Sequence, residues 1–239
     1  MPLADEQIRR NHLLAAAPPS VREQLATLGT LEPLPFKEVL FERGARVERV
    51  VFPTVGVCSL LSVTSDERIV EVATIGNEGF VGLPVFLQAT LMSAHRAIAQ
   101  IPGEGIVVDA REFLEISNSG GPFQAVLMRY AQALMTQIAQ SAACNRLHST
   151  EQRAARWLLM THDRVDGDVF TLTREFLAQM LGAGREAVDE AAGALRERGL
   201  ITYARGCVTV LDRAGLEAAC CECYEIVRSE FDRLLPARS

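Results

Sequence analysis

The chain has 239 residues, of which 49% are hydrophobic and 23% charged, and it carries a net charge of −6. This is the composition of a globular chain long enough for two domains with cores of their own, and it excludes a disordered or fibrous one. The acidic balance excludes indiscriminate polybasic binding of nucleic acid. No apolar run approaches the roughly eighteen residues that span a bilayer, and the polar opening MPLADEQIRR lacks leader character, so a cytoplasmic protein without signal peptide or membrane anchor is expected.

Residues 1–30 predict a short helical lead. Leu13, Leu14, Val21, Leu25 and Leu28 can pack inward, with Pro18-Pro19 breaking the helix between them, and no chemistry is assigned to it. From residue 31 to 110 the chain reads as strands. The β-rich runs 39–41, 50–52, 57–63 and 69–75 are separated by punctuation at Gly44, 53–56, 65–67 and 76–79. Many short strands with glycine-bearing turns predict a small barrel or roll.

The segment 122–147 predicts one long helix. Phe123, Leu127, Tyr130, Leu134, Ile138 and Ser141 step by three and four residues, and Val126, Met135 and Ala142 widen the stripe. Such a helix is longer than one domain needs. The expectation is a dimerisation helix pairing with its two-fold mate, the alternative being a helix packed on its own roll. Residues 148–165, with Ala154, Ala155, Trp157, Leu158 and Leu159, then form the first helix of a C-terminal domain, with Trp157 in its core.

Residues 172–212 carry the strongest pattern. Thr171 or Thr173 can cap a helix whose apolar face is Phe176, Leu177, Met180 and Leu181, and Gly182 ends it. A second amphipathic helix follows with Val188, Ala191, Ala192 and Leu195, closed by Gly199 after Arg196 and Arg198. Beyond it, 200–203 and 207–211 flank Ala204-Arg205-Gly206 as a β-hairpin. Helix, turn, helix and hairpin in that order make a winged helix-turn-helix, which points to double-stranded DNA as a partner.

The last helical run, after Asp212, places Leu216, Cys220, Cys223, Val227, Phe231 and Leu234 in a three-four rhythm. Cys220 and Cys223 are therefore expected to act as small hydrophobes on its apolar face, although the Cys220-Cys221-Glu222-Cys223 group could also sense redox state or a metal. A metal-dependent roll would need two or three converging His, and only His95 of His12, His95, His148 and His162 lies among the strands. With no Ser-His-Asp order, phosphate loop or Gly-x-Gly-x-x-Gly, no catalytic residue, metal site or cofactor is assigned, and the chain is not expected to be an enzyme.

The sequence resembles the CRP/FNR family of bacterial transcription regulators through nearly its whole length. In that family the second helix opens with an Arg-Glu pair that reads base edges, and Arg185-Glu186 stand there within the run 184–190. An arginine fork can donate to guanine O6 and N7 while a glutamate accepts from cytosine N4. The turns at 42–44, 53–56 and 76–79 sit where the family's cyclic-nucleotide-binding roll places its glycines. The resemblance implies an α+β fold in three parts: an N-terminal jelly-roll-like β-roll with helical lead over 1–121, a dimerisation helix over 122–147, and a winged helix-turn-helix with C-terminal helix over 148–239. It further implies a homodimer on a pseudo-palindromic operator, RNA polymerase as a further partner, and no membrane.

The expected DNA-binding residues are Thr173, Arg174, Gly184, Arg185, Glu186, Ala187, Asp189 and Arg205. Residues 146–213 hold ten Arg against ten Asp or Glu, so phosphate contacts must come from a local set among Arg153, Arg156, Arg174, Arg185, Arg205 and Arg213. Three departures weaken the match: relatives often carry Ser or Arg at Gly184, Ser or Thr at Ala187 and Arg at Glu190. DNA binding is expected to be weaker than the fold suggests, and a protein-interaction module with lost operator reading is the alternative.

The family's phosphate cassette is a Gly-Glu followed about ten residues later by Arg-Ser, Arg-Thr or Arg-Ala. In 79–93 no glutamate follows Gly79 or Gly82, and no arginine appears before Arg96. Cyclic AMP is not expected. Gly79, Phe80, Gly82, Leu83, His95 and Arg96 remain the candidate pocket for another effector, with His95-Arg96 either meeting an anion or forming a surface pair at a strand start. The family's iron-sulfur oxygen sensors use cysteines near the N-terminus, and here none precedes Cys58.

Overall fold

The computed structural model describes residues 2–87, 91–118 and 120–235. Residues 88–90, which fall within the cassette-equivalent run, lie outside the described residues. The helical lead forms as α1 (Asp5–Arg9), α2 (His12–Ala15) and α3 (Pro19–Leu28), with Pro19 in the first turn of α3. The lead does one thing its sequence pattern does not announce. Asn11 caps α2 by accepting from the Leu13 and Leu14 amides, and its own amide donates to the Pro53 and Gly79 carbonyls at 2.9 Å each. A buried side-chain amide with every hydrogen bond made thus ties the lead to β3 and to the 76–79 turn of the roll.

The roll is one five-stranded antiparallel sheet in the order β1-β5-β3-β4, with β2 also pairing β5. Its strands are β1 (Thr30–Leu34), β2 (Val39–Phe41), β3 (Arg49–Val63), β4 (Ile69–Ile75) and β5 (Arg96–Asp109), with the short helix α4 (Leu83–Leu87) between β4 and β5. Pro53 and Gly56 do not separate two strands as expected. β3 continues through them, paired with β5 from Arg49↔Asp109 to Leu61↔Arg96, and the register shifts between Pro53 and Cys58 absorb the break. A bulge is where a strand tolerates a proline without an N–H to donate.

After β5, Asp109 caps α5 (Ala110–Ser117), and α6 (Gly121–Leu147) follows as a single 27-residue helix. Its inner face packs on the roll. Tyr130 donates to the Phe80 carbonyl at 2.9 Å and lays its ring on Gly79, where any side chain would overlap it, and Phe52, Phe80 and Phe113 stack beneath.

The expected dimer face is corrected here. Phe123, Leu127, Tyr130, Leu134 and Ser141 are buried within their own chain, and Ile138 is partly buried against the same core. The exposed stripe is instead Ala125, Met128, Gln132, Met135, Ala139 and Ala142, with Met128 57% and Met135 67% exposed. Larger side chains go where the most apolar area is removed from water, which is the roll-facing side.

The C-terminal part comprises α7 (Thr150–His162), β6 (Val169–Thr171), α8 (Arg174–Leu181), α9 (Arg185–Glu197), β7 (Ile201–Ala204), β8 (Cys207–Val210), α10 (Arg213–Ala219) and α11 (Cys223–Leu234). The hairpin gains a third strand, in the order β6-β8-β7. The expected continuous helix after Asp212 is broken. The chain turns extended at Cys220, because the three-four apolar rhythm is also satisfied by two short helices meeting at an angle.

The two parts meet in a seam that includes buried polar groups. Arg164, just beyond α7, pairs with Glu78 of the roll at 2.8 Å, each side chain only 6% exposed. The Gln100 amide donates to Thr161 at 3.0 Å, and Gln137 of α6 donates to the Thr74 carbonyl at 3.1 Å. Ser59 Oγ lies 2.6 Å from both Glu71 Oε2 and Gln100 Oε1, and one hydroxyl proton cannot serve two acceptors. The chain of bonds closes when Glu71 is protonated and donates to Ser59. In the ionised form Glu71 instead accepts from Ser59 and Thr74, and these bonds, the Arg156 charge and the nearby Trp157 indole favour ionisation; burial outweighs them and pushes the carboxyl up from 4.5 to about 7. Around this polar strip Phe36 packs on Phe176 at 5.3 Å with the Lys37 ammonium over both rings.

Two outcomes are expected. Glu78→Ala strands the buried Arg164 and should cost about 3–5 kcal/mol, read as a fall in thermal midpoint. The neutral form of Glu71 contributes stability that is fully present below pH 4.5 and lost as pH rises through about 7, a change on the order of 3 kcal/mol at most. Glu71→Gln should flatten the midpoint between those pH values, and a wild-type midpoint that does not fall across the window would contradict the protonated seam.

Candidate nucleic-acid interface

Of Thr171 and Thr173, the structure uses Thr173, whose side chain accepts from the Phe176 amide as the cap of α8. Gly182 ends α8 in the left-handed region, at φ 58°, and Ala183-Gly184 lead directly into α9. Gly184 stands at the N-cap and offers no side chain to the free amides there. Val188, Ala191, Ala192 and Leu195 are buried, which turns the opposite face of α9 outward. Arg185, Glu186 and Glu190 are all exposed, Arg185 by 74% of its side chain. The hairpin turn at Arg205-Gly206 has positive φ at both residues, 52° and 78°, the two-residue turn whose twist matches paired strands. Arg205 therefore projects from the wing tip, exposed.

The expected phosphate set is smaller in the folded chain. Arg156 is buried against Ser141, and Arg153 donates to the Leu181 carbonyl. Arg213 is held by Asp163 at 2.6 Å, Glu217 at 3.0 Å and Tyr224 at 2.6 Å. Arg174 pairs with Asp189 at 3.2 Å and lies over the Tyr203 ring at 5.5 Å. These four arginines build the domain, and Arg185 and Arg205 remain as exposed cations of the set. Asp189 faces Arg174 and, at 4.0 Å, Arg185, so both of its ion-pair partners are arginines of its own domain. Sequence spacing could not separate these roles because the partners Asp163, Tyr224 and Leu181 come from other elements.

The start of α9 also borders the roll. Arg185, Gln179 and Gly182 share a groove of about 690 Å³ with Thr64, Glu67 and Arg68 of the β3–β4 turn. The residue expected to read DNA thus sits beside the roll in this arrangement.

The expected effector pocket is present only in part. Phe80, Gly82, Leu83 and His95 line a cavity of about 180 Å³ closed by Leu134 and Ile138 of α6. Gly79 is spent on Tyr130, and Arg96 is outside the cavity, paired with Glu42 at 2.6 Å. The wall is mostly apolar, and among the described residues no Arg or Lys lines it. Burial holds the His95 imidazole below its ordinary value, which favours a neutral ring.

Residues 152–219, from α7 to α10, match the family model of the Crp-like helix-turn-helix domain. No curated protein sequence matches the chain. Among solved structures the chain is similar to FixK2 from Bradyrhizobium japonicum, with TM-score 0.68 and 16% identity over 81% of this chain and 98% of that one. A CRP-family transcriptional regulator from Thermus thermophilus gives 0.65 and 21% over 79% and 95%. The c-di-GMP-responsive global regulator CLP from Xanthomonas campestris gives 0.63 and 14% over 80% and 98%. No helix among the described residues is long and apolar enough to cross a membrane. The chain carries a Crp-like helix-turn-helix domain on the α+β fold of the CRP/FNR transcription regulators.

Proposed function

We propose that this chain is a homodimeric transcription regulator that reads a pseudo-palindromic duplex with the start of α9. The observation that carries this reading is the exposed Arg185-Glu186 pair on the first turn of a helix whose opposite face is locked into a Crp-like domain. Arg205 at the wing tip supplies a phosphate contact. Glu190 sets a negative charge on the same open face, and the uncapped Gly184 leaves the α9 start less rigid, so affinity rests on few cations.

The stripe Ala125, Met128, Gln132, Met135, Ala139 and Ala142 repeats at three and four residues along α6, the spacing of a coiled-coil seam of small and flexible side chains. Pairing α6 with its two-fold mate sets two copies of α9 about 34 Å apart, one turn of DNA. A cyclic nucleotide is not part of this reading, since its phosphate needs a guanidinium and the cavity at Phe80 offers none. An apolar occupant suits that wall.

Selection from random duplexes with the purified protein at low salt should enrich a two-fold-symmetric sequence, and enrichment of none would remove the reading. Arg185→Ala should cost about 1–3 kcal/mol on the enriched site and relax one base position per half-site, whereas an equal loss on every sequence would mean Arg185 meets only phosphate. Replacing Met128 and Met135 together by Glu should convert the dimer to a folded monomer by sedimentation equilibrium. A wild-type chain that sediments as a monomer would contradict the α6 seam.

A further inference from the structure

Four side chains with no part in DNA reading converge where the long helix hands over to the DNA-binding domain. Cys144 lies in the last turn of α6 and His148 is its C-cap residue, four positions on. Cys221 comes from the break between α10 and α11 and Cys223 opens α11, which runs back along α6. The two pairs are 73 residues apart in sequence, counted from His148 to Cys221, and only the fold brings them together.

Their ligand atoms all lie within 4.8 Å of one another. Cys144 Sγ is 3.6 Å from Cys221 Sγ, and Cys223 Sγ is 3.4 Å from His148 Nδ1. Zinc bonds of about 2.3 Å to sulfur and about 2.0–2.1 Å to nitrogen give a ligand tetrahedron with edges of roughly 3.5–3.8 Å. These two separations, 3.6 and 3.4 Å, are close to such edges.

The surroundings are those of a metal site as well. His148 Nε2 lies 3.3 Å from Glu222 Oε2, the carboxylate partner that orients a ligating imidazole and fixes which nitrogen turns to the ion. Gln140 donates an N–H to Cys223 Sγ at 3.1 Å. Arg153 and Arg156 of α7 lie close enough to Cys144 to offset the single net negative charge of three thiolates around a dication. Cys144 and Cys223 are wholly buried and Cys221 is 5% exposed, so the four positions are filled by protein and none is left open for a substrate.

We propose that Cys144, His148, Cys221 and Cys223 form a closed structural site for a divalent cation of the zinc class, which staples the C-terminal helix to the junction between α6 and α7. Binding exchanges three thiol protons for the ion and transfers no electrons. The site fixes the one place where the DNA-binding domain leaves the long helix, so its occupancy sets the stiffness of that junction.

Elemental analysis of the reduced full-length protein, isolated without added metal, should find one zinc ion per chain. Cobalt(II) added to chelator-stripped protein should give the visible bands of a tetrahedral thiolate site. Cys221→Ser and His148→Ala should each lose the stoichiometric ion, while Cys207→Ser, on the wing, keeps it. The proposal is overturned by wild-type protein with substoichiometric metal and no tetrahedral cobalt spectrum, by a Cys144–Cys221 disulfide in freshly isolated protein, or by both ligand variants retaining the full ion.

Discussion

The buried Glu78–Arg164 pair holds the rest of the arrangement in place. A carboxylate and a guanidinium out of water are costly apart and tolerable only together, so the end of α7 is committed to one position on the roll. From that anchor follow the seating of α8 on β4, the packing of Phe36 on Phe176, and the closeness of Arg185 to the β3–β4 turn. A purely apolar seam would slide more easily. The hydrogen-bonded strip of Ser59, Glu71, Gln100 and Thr161 allows one register and resists its neighbours.

The long helix serves the two faces of the molecule with different chemistry. Toward the roll it sends Phe123, Leu127, Tyr130 and Leu134, which complete a core, and Gln137, which joins the polar seam. Away from the roll it shows Ala and Met, residues that bury little in the single chain and adapt to a partner. At its end it meets α11 through the Cys-His cluster. In the proposed reading, docking of the C-terminal domain, dimer pairing and the metal staple all act on this one helix.

The sequence was most legible where local chemistry decides structure. Thr173, Gly182, the α9 apolar face and the Arg205-Gly206 turn each carry their own signal, and the helix-turn-helix follows from them. β5 was not legible because Pro102-Gly103-Glu104-Gly105 reads as a turn, yet these residues are held in the strand by pairing with β1 and β3 on either side. Pro53–Gly56 are likewise kept in β3, by pairing with β5 alone. On α6 an apolar rhythm exists on more than one face, and it is the bulkier residues that are buried within the chain. The roles of Arg153, Arg156, Arg174 and Arg213 depend on partners in other elements, and so does the joining of Cys144 and His148 to Cys221 and Cys223.

The latched seam can be observed through the chain's single tryptophan, Trp157, which is buried beside Glu71 where α7 meets the roll. Acrylamide quenching of its fluorescence should be weak in the free protein. It should rise when Glu78→Ala cuts the ion pair, with the far-ultraviolet circular dichroism unchanged, because the domain lifts away while its own fold persists. Quenching that is already strong in the wild type, or that does not change in Glu78→Ala, would contradict a DNA-binding domain latched to its own roll.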